Sequence, residues 1–170
     1  DHTAVREAGR DAVRVYPDMA LAALKAEQSG PYALWLACQH LDSAGSGTLT
    51  LEHVLAFTQA RLSRRQLMRQ LACGEGVFWH RYARRAEIVN KAGKRQVLRT
   101  TWLRLAGHAR VAQALGVARL RIHAVCVPLD RLLAGTAEQH AVLFASFHAG
   151  RGDSERHNAP IARATLEDLS

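Results

Sequence analysis

The stretch that most constrains this chain is Ser63-Arg64-Arg65-Gln66. A serine followed three residues later by glutamine is a capping box, in which the two side chains satisfy backbone N–H groups that a helix start leaves unpaired. It sets a helix beginning at Arg64, and Leu67 and Leu71, four residues apart, set the face that is buried. Upstream, Thr50 is placed to cap a second helix from Leu51 to about Ala60, with Leu51, Val54, Leu55 and Thr58 on one face. Leu62, just before the serine cap, is positioned to plug the gap between the two helices. Burying Leu67 and Leu71 leaves Arg64, Arg65, Arg69 and Gln70 expected outside, with Ser63 and Gln66 at the helix start.

Charge concentrates around this pair of helices. The whole chain carries a formal charge of +8. Between Arg61 and Arg104, twelve Lys and Arg residues face only Glu75 and Glu87, so this segment alone carries +10. A basic segment within an otherwise slightly acidic chain predicts a local footprint for a polyanion rather than general stickiness.

Downstream, Val77 to Tyr82 reads as an aromatic-rich strand. Glu87 to Asn90 and Gln96 to Thr101 flank Lys91-Ala92-Gly93-Lys94-Arg95, which reads as a hairpin with a basic tip. A helix from about Leu105 to Leu115 follows, ended by Gly116. Upstream, Val5 to Val15 is Ala/Arg-rich and reads as a helix broken by Pro17, and Asp18 to Gln28 reads as another. A third, opened by Pro31, carries the stripe Leu34, Trp35, Cys38 and Leu41. Toward the C-terminus, Arg121 to Val127 reads as a strand, Leu129 to Leu133 and Thr136 to His148 as helices, and Gly150 to Asn158 as a linker. The expected fold class is therefore mainly α with a small β-hairpin. It divides into an N-terminal helical extension (1–30), a central unit (31–115) and a C-terminal helical region (116–170).

The segment Ser63-Arg64-Arg65-Gln66-Leu67-Met68-Arg69-Gln70-Leu71 resembles the recognition helix of prokaryotic helix-turn-helix proteins. With Thr48-Leu49-Thr50 before it and the hairpin after it, the order resembles a winged helix-turn-helix, over roughly a third of the chain. The segment Phe144 to Arg151, followed by Pro160 to Ser170, resembles the opening of a second such module, as in the tandem winged-helix replication initiators and partition proteins of plasmids and phages. The resemblance implies a double-stranded DNA partner. Ser63, Arg64, Arg65, Gln66, Arg69 and Gln70 would lie at the major groove, with Arg81, Lys91, Lys94 and Arg95 on the hairpin holding the backbone. Such helix-turn-helix units usually have Gly in the turn, where this chain has Arg61. An arginine forced into a left-handed conformation costs about 1 kcal/mol or more, so a reshaped turn is expected.

Catalysis and metal binding find no pattern. The nine histidines form no H-E-x-x-H, no C-x-x-C occurs, and His140 and His148 are too far apart along a helix to share an ion. Gly93-Lys94 lacks the upstream glycine of a phosphate loop, and the acidic residues form no carboxylate cluster. No cofactor, metal site or catalytic residue is expected. Cys38, Cys73 and Cys126 read as buried free thiols in a cytoplasmic protein. No run of about 18 apolar residues is present, so no membrane partner is expected. The first residues lack the basic head and apolar run of a signal peptide, and the start without Met suggests a piece of a longer protein.

The expected function is sequence-specific binding of double-stranded DNA for replication initiation, partition or transcription regulation on a prokaryotic mobile element, with a homodimer left open. The alternatives are a protein-interaction module on a winged-helix scaffold and an accessory DNA-binding domain of a larger replication or recombination enzyme.

Overall fold

A computed structural model describes residues 12–89, 95–120 and 123–149. They form a mixed α/β structure of seven helices and two small antiparallel sheets.

Its centre is a helix that has no outward face. In α2 (Ser29–Leu41) every residue from Pro31 to Cys38 is buried. The sequence stripe Leu34, Trp35, Cys38 and Leu41 captured only one side of it. The other side is covered because α1 (Pro17–Lys25) and α7 (Thr136–Ala149) also pack against α2. Pro31 sits at the third helical position, where its missing N–H would have had no intrahelical partner.

The N-terminal strand overturns an expectation. Ala12–Val15, read as part of a helix, is the strand β1, and residues 1–11 lie outside the described residues. Val13 and Val15 alternate inward, as β-branched residues on a half-buried strand do. Their partner is more than a hundred residues away, in β5 (Val125–Pro128), with Val13 opposite Val127. Local propensity loses here to a long-range pairing. The same two ends meet again where α1 packs against α7, so the segments expected as an N-terminal extension and a C-terminal region lie together over α2. The rest of the expected second module, from Gly150 onward, lies outside the described residues.

On the other side of α2, the chain runs β2 (Thr48–Thr50), α3 (Leu51–Thr58), α4 (Arg64–Cys73), β3 (Trp79–Val89) and β4 (Arg95–Leu105). The sheet order is β2-β4-β3, all antiparallel. The expected strand at Val77–Tyr82 begins two residues later, at Trp79, and runs on without a break into the first hairpin arm. Each arm has 11 residues and pairs without interruption from Trp79–Leu105 to Val89–Arg95. At about 3.4 Å per residue, the hairpin projects well beyond the core. Leu105, expected to start a helix, instead completes β4, and α5 (His108–Ala114) begins after Gly107. A short α6 (Leu129–Leu132) precedes α7.

An aromatic cluster locks this half to α2. The rings of Tyr32, Trp35, Phe78 and Trp79 lie with neighbouring centroids 5.8–6.2 Å apart. Each buried indole finds an acceptor, as a buried Trp N–H must. Trp35 donates to the Ala106 carbonyl and Trp79 to the Leu71 carbonyl, each at 2.9 Å. The second bond ties the last turn of α4 to the root of β3. Cys38 is buried and its thiol pKa is pushed up to about 12 by loss of solvation. Cys73 and Cys126 are exposed, against the expectation that all three thiols are buried.

Candidate nucleic-acid interface

The start of α4 is built as its sequence requires. The Ser63 Oγ accepts from the Gln66 N–H at 3.2 Å, and the Gln66 Oε1 accepts from the Ser63 N–H at 3.0 Å. The two expected contact residues Ser63 and Gln66 are thus held in the cap, with the carbonyl end of Gln66 committed to it. Thr50 caps α3 in the same manner, its Oγ1 accepting from the His53 N–H at 3.2 Å. Leu62, Leu67 and Leu71 are buried, so the angle between α3 and α4 is set by packing.

The turn between these helices needs no left-handed residue. Arg61 and Leu62 both donate their N–H to the Thr58 carbonyl, at 2.9 and 2.8 Å, and Glu27 is the one non-glycine with positive φ among the described residues. Arg61 instead uses its side chain. The guanidinium pairs with Asp130 (Nε to Oδ1 2.6 Å) and lies over the Phe57 ring, 5.8 Å from its centroid. The expected strain at Arg61 is absent, and the residue ties the turn to α6.

Arg64, Arg65 and Arg69 are exposed and, among the described residues, have no carboxylate partner. Gln70, expected beside them, is half-buried and turned toward α2. Its side chain lies against Gly30, and its Oε1 is buried without a hydrogen-bond partner. The missing side chain of Gly30 leaves room that the sequence of α4 alone does not reveal.

The hairpin presents two faces, because residues alternate across a strand. Trp79, Arg81, Arg85, Leu103, Arg99 and Arg95 share the inner face, the side of the buried Leu49, Leu67 and Leu71. The apolar residues at its root are buried, and beyond them the face is exposed and basic. Arg85 stands directly opposite Arg99. Like charges at opposed positions destabilise a sheet, so this pair is one that an anion would relieve. Arg81 is less available than expected: its Nε donates to the Glu75 Oε2 at 2.6 Å and its N–H to Oε1 at 2.8 Å. Glu87, opposite Val97, is the other acid of this face. Lys91 and Lys94 lie outside the described residues, while Arg95 is exposed at the start of β4.

Sequence reading overlooked Arg85 and Arg99. Only the register of the continuous hairpin places them together, on the sheet face shared with Trp79, whose indole bonds the Leu71 carbonyl of α4. Gly74 completes the arrangement: a Cβ there would meet the Trp79 ring at 2.4 Å and the Pro31 Cβ at 3.0 Å. The glycine is what lets α4, α2 and β3 meet. No group of three His, Cys, Asp or Glu side chains able to hold a metal ion occurs among the described residues. No helix among them is long and apolar enough to cross a membrane. No family model, curated protein or solved structure matches the chain.

Proposed function

We propose that residues 29–105 are a winged helix-turn-helix unit that binds double-stranded DNA sequence-specifically. In this reading α4 enters the major groove, and the β3–β4 hairpin lies against the neighbouring backbone as the wing. Arg64, Arg65 and Arg69 face the bases and phosphates. Arg85, Arg99 and Arg95 grip the phosphates, joined by Lys91 and Lys94 from the sequence between the two strands. Arg65 and Arg69, one helical turn apart, are the pair best spaced to read base edges, where a bidentate arginine–guanine contact is worth about 1–3 kcal/mol.

The observation that supports the reading is the exposed Arg85–Arg99 pair on the sheet face of Trp79, the face whose root is bonded to α4 through the Leu71 carbonyl. The arrangement of helix, strand, two helices and hairpin, with β4 between β2 and β3, is the order expected of such a unit. The biological role is site recognition for replication initiation, partition or transcription on a prokaryotic mobile element. Selection of bound sites from random duplex DNA tests the proposal. An enriched motif supports it, with a palindrome implying a two-fold dimer and iterated repeats a head-to-tail array. Recovery of no motif refutes sequence-specific recognition.

A further inference from the structure

The outer face of the hairpin carries a second basic surface that the proposed wing contact does not use. His80, Tyr82, Arg84, Thr100, Trp102 and Arg104 alternate onto this face, with Tyr82 opposite Trp102 and His80 opposite Arg104. The Arg84 guanidinium lies over both rings, 4.8 Å from the Trp102 centroid and 5.5 Å from that of Tyr82. Arg104 lies over the Tyr82 ring at 5.7 Å. Arg110, from α5, approaches this face with its Nη2 3.2 Å from the His80 Nε2. The arginines are exposed while the rings beneath them are half-buried.

Stacking orders a guanidinium before any ligand arrives, so less side-chain entropy is lost on binding than by a free arginine. It also covers the ring faces, which are therefore closed to stacking bases. What remains is a set of N–H edges pointing outward, the chemistry of phosphate recognition. Glu75 reaches the root of this face, its Oε1 3.9 Å from the His80 Nδ1, and is already held by Arg81. None of the described strand residues on this face is acidic.

We propose that this outer face holds the phosphate backbone of a second DNA duplex, so that one protein molecule bridges two duplex segments. The inference rests on the proposed DNA binding by α4. It follows from the two basic surfaces lying on opposite sides of one sheet, where a single groove cannot meet both. A polyanion matches the charge, and the covered rings favour a backbone over exposed bases.

The test is a bridging assay with the full chain and two short duplexes, one immobilised and one fluorescent, each bearing the selected site. Wild type should retain the fluorescent duplex on the immobilised one. The double variant Arg84→Gln with Arg104→Gln should bind a single duplex with unchanged affinity and lose retention about tenfold or more. The salt slope of bridging should fall by about two, since each phosphate contact contributes roughly 0.9. Thr100→Glu, which leaves both stacked arginines in place and adds a carboxylate opposite Arg84, should abolish retention as well. Retention by all variants, or single-duplex binding by wild type without retention, overturns the inference and leaves the proposed function standing. Displacement of the fluorescent duplex by single-stranded DNA more readily than by unlabelled duplex also overturns it, by identifying a single strand as the occupant. Absence of any duplex binding refutes the proposed function itself.

Discussion

Gly74→Ala is the substitution whose cost the geometry sets most directly. Gly74 closes α4 in a right-handed conformation, φ −88°, so an alanine suits the backbone. On backbone grounds alone, the exchange would stabilise the protein by roughly 0.4–1 kcal/mol, through the unfolded chain. The added methyl would, however, sit 2.4 Å from the Trp79 Cζ2 and 2.8 Å from Cη2. Relief requires the ring to move by about an ångström to reach ordinary contact. Trp79 is fully buried and anchored to the Leu71 carbonyl at 2.9 Å, so moving it strains both packing and a buried hydrogen bond. Overpacking of this kind costs about 1–3 kcal/mol, and weakening the indole bond adds about 1 kcal/mol. The clash wins, and a net loss of about 1–3 kcal/mol is expected. Urea unfolding followed by tryptophan fluorescence should show a lower midpoint. Thermal unfolding should shift down by about 2–4 °C for each kcal/mol. Gly30→Ala is the matched control, because the three atoms nearest its Cβ would all belong to the flexible Gln70 side chain, from 3.2 Å outward. Its midpoint should stay within about 0.5 kcal/mol of wild type, as alanine favours the helix. A Gly74→Ala protein as stable as wild type would refute the close approach of α4 and β3.

Three further outcomes are expected. Glu27 closes α1 with φ 56°, its N–H bonded to the Leu24 carbonyl and that of Gln28 to Ala23, the pattern that favours glycine. Glu27→Gly should therefore raise the unfolding midpoint, by about 0.5–1 kcal/mol, and a lower midpoint would contradict the left-handed turn. Although partial desolvation raises the Asp42 pKa, hydrogen bonds from the Gly47 and Ser46 N–H groups and the Ser46 hydroxyl outweigh it, and the net shift is downward. A carboxyl depressed in the folded state contributes stability above the unfolded value of about 3.9, lost as pH falls through the folded one. Asp42→Ala should thus destabilise at neutral pH and converge on wild type in acid; an equal deficit at both would refute the ionic origin. His108 packs edge-on against Trp35 and Tyr16, and desolvation lowers its pKa. Stability should therefore decline as pH falls below about 6.5, because the unfolded chain takes the proton first. The slope is shallow, since the ring is open to solvent on one side. His108→Phe should flatten it, and an unchanged profile would contradict the assignment.

What the sequence reveals here is what neighbours in the chain decide. The Ser63–Gln66 box, the Thr50 cap and the inward Leu67 and Leu71 are local matters of hydrogen bonding and helical spacing, and each is found where the sequence places it. Residues whose surroundings come from afar are less legible. Ala12–Val15 is a strand because Val125–Pro128 pairs with it. Gln70 turns inward because Gly30, on another helix, leaves it space. Arg61 avoids the strain expected of it because Asp130 and Phe57 receive its side chain. The exposed Arg85 and Arg99 lack a local apolar alternation, and only the full register of the hairpin reveals them as a facing pair.

Duplex affinity of the full chain as a function of salt, for wild type and for Arg65→Ala with Arg69→Ala, tests the central claim most directly. Wild type should show a steep log–log slope. The double variant should unfold at the same denaturant concentration, lose at least about tenfold in affinity for the selected site, and approach its affinity for unrelated duplex. A variant that binds the selected site as tightly as wild type, with the same slope, would contradict the assignment of α4 as the DNA-reading helix.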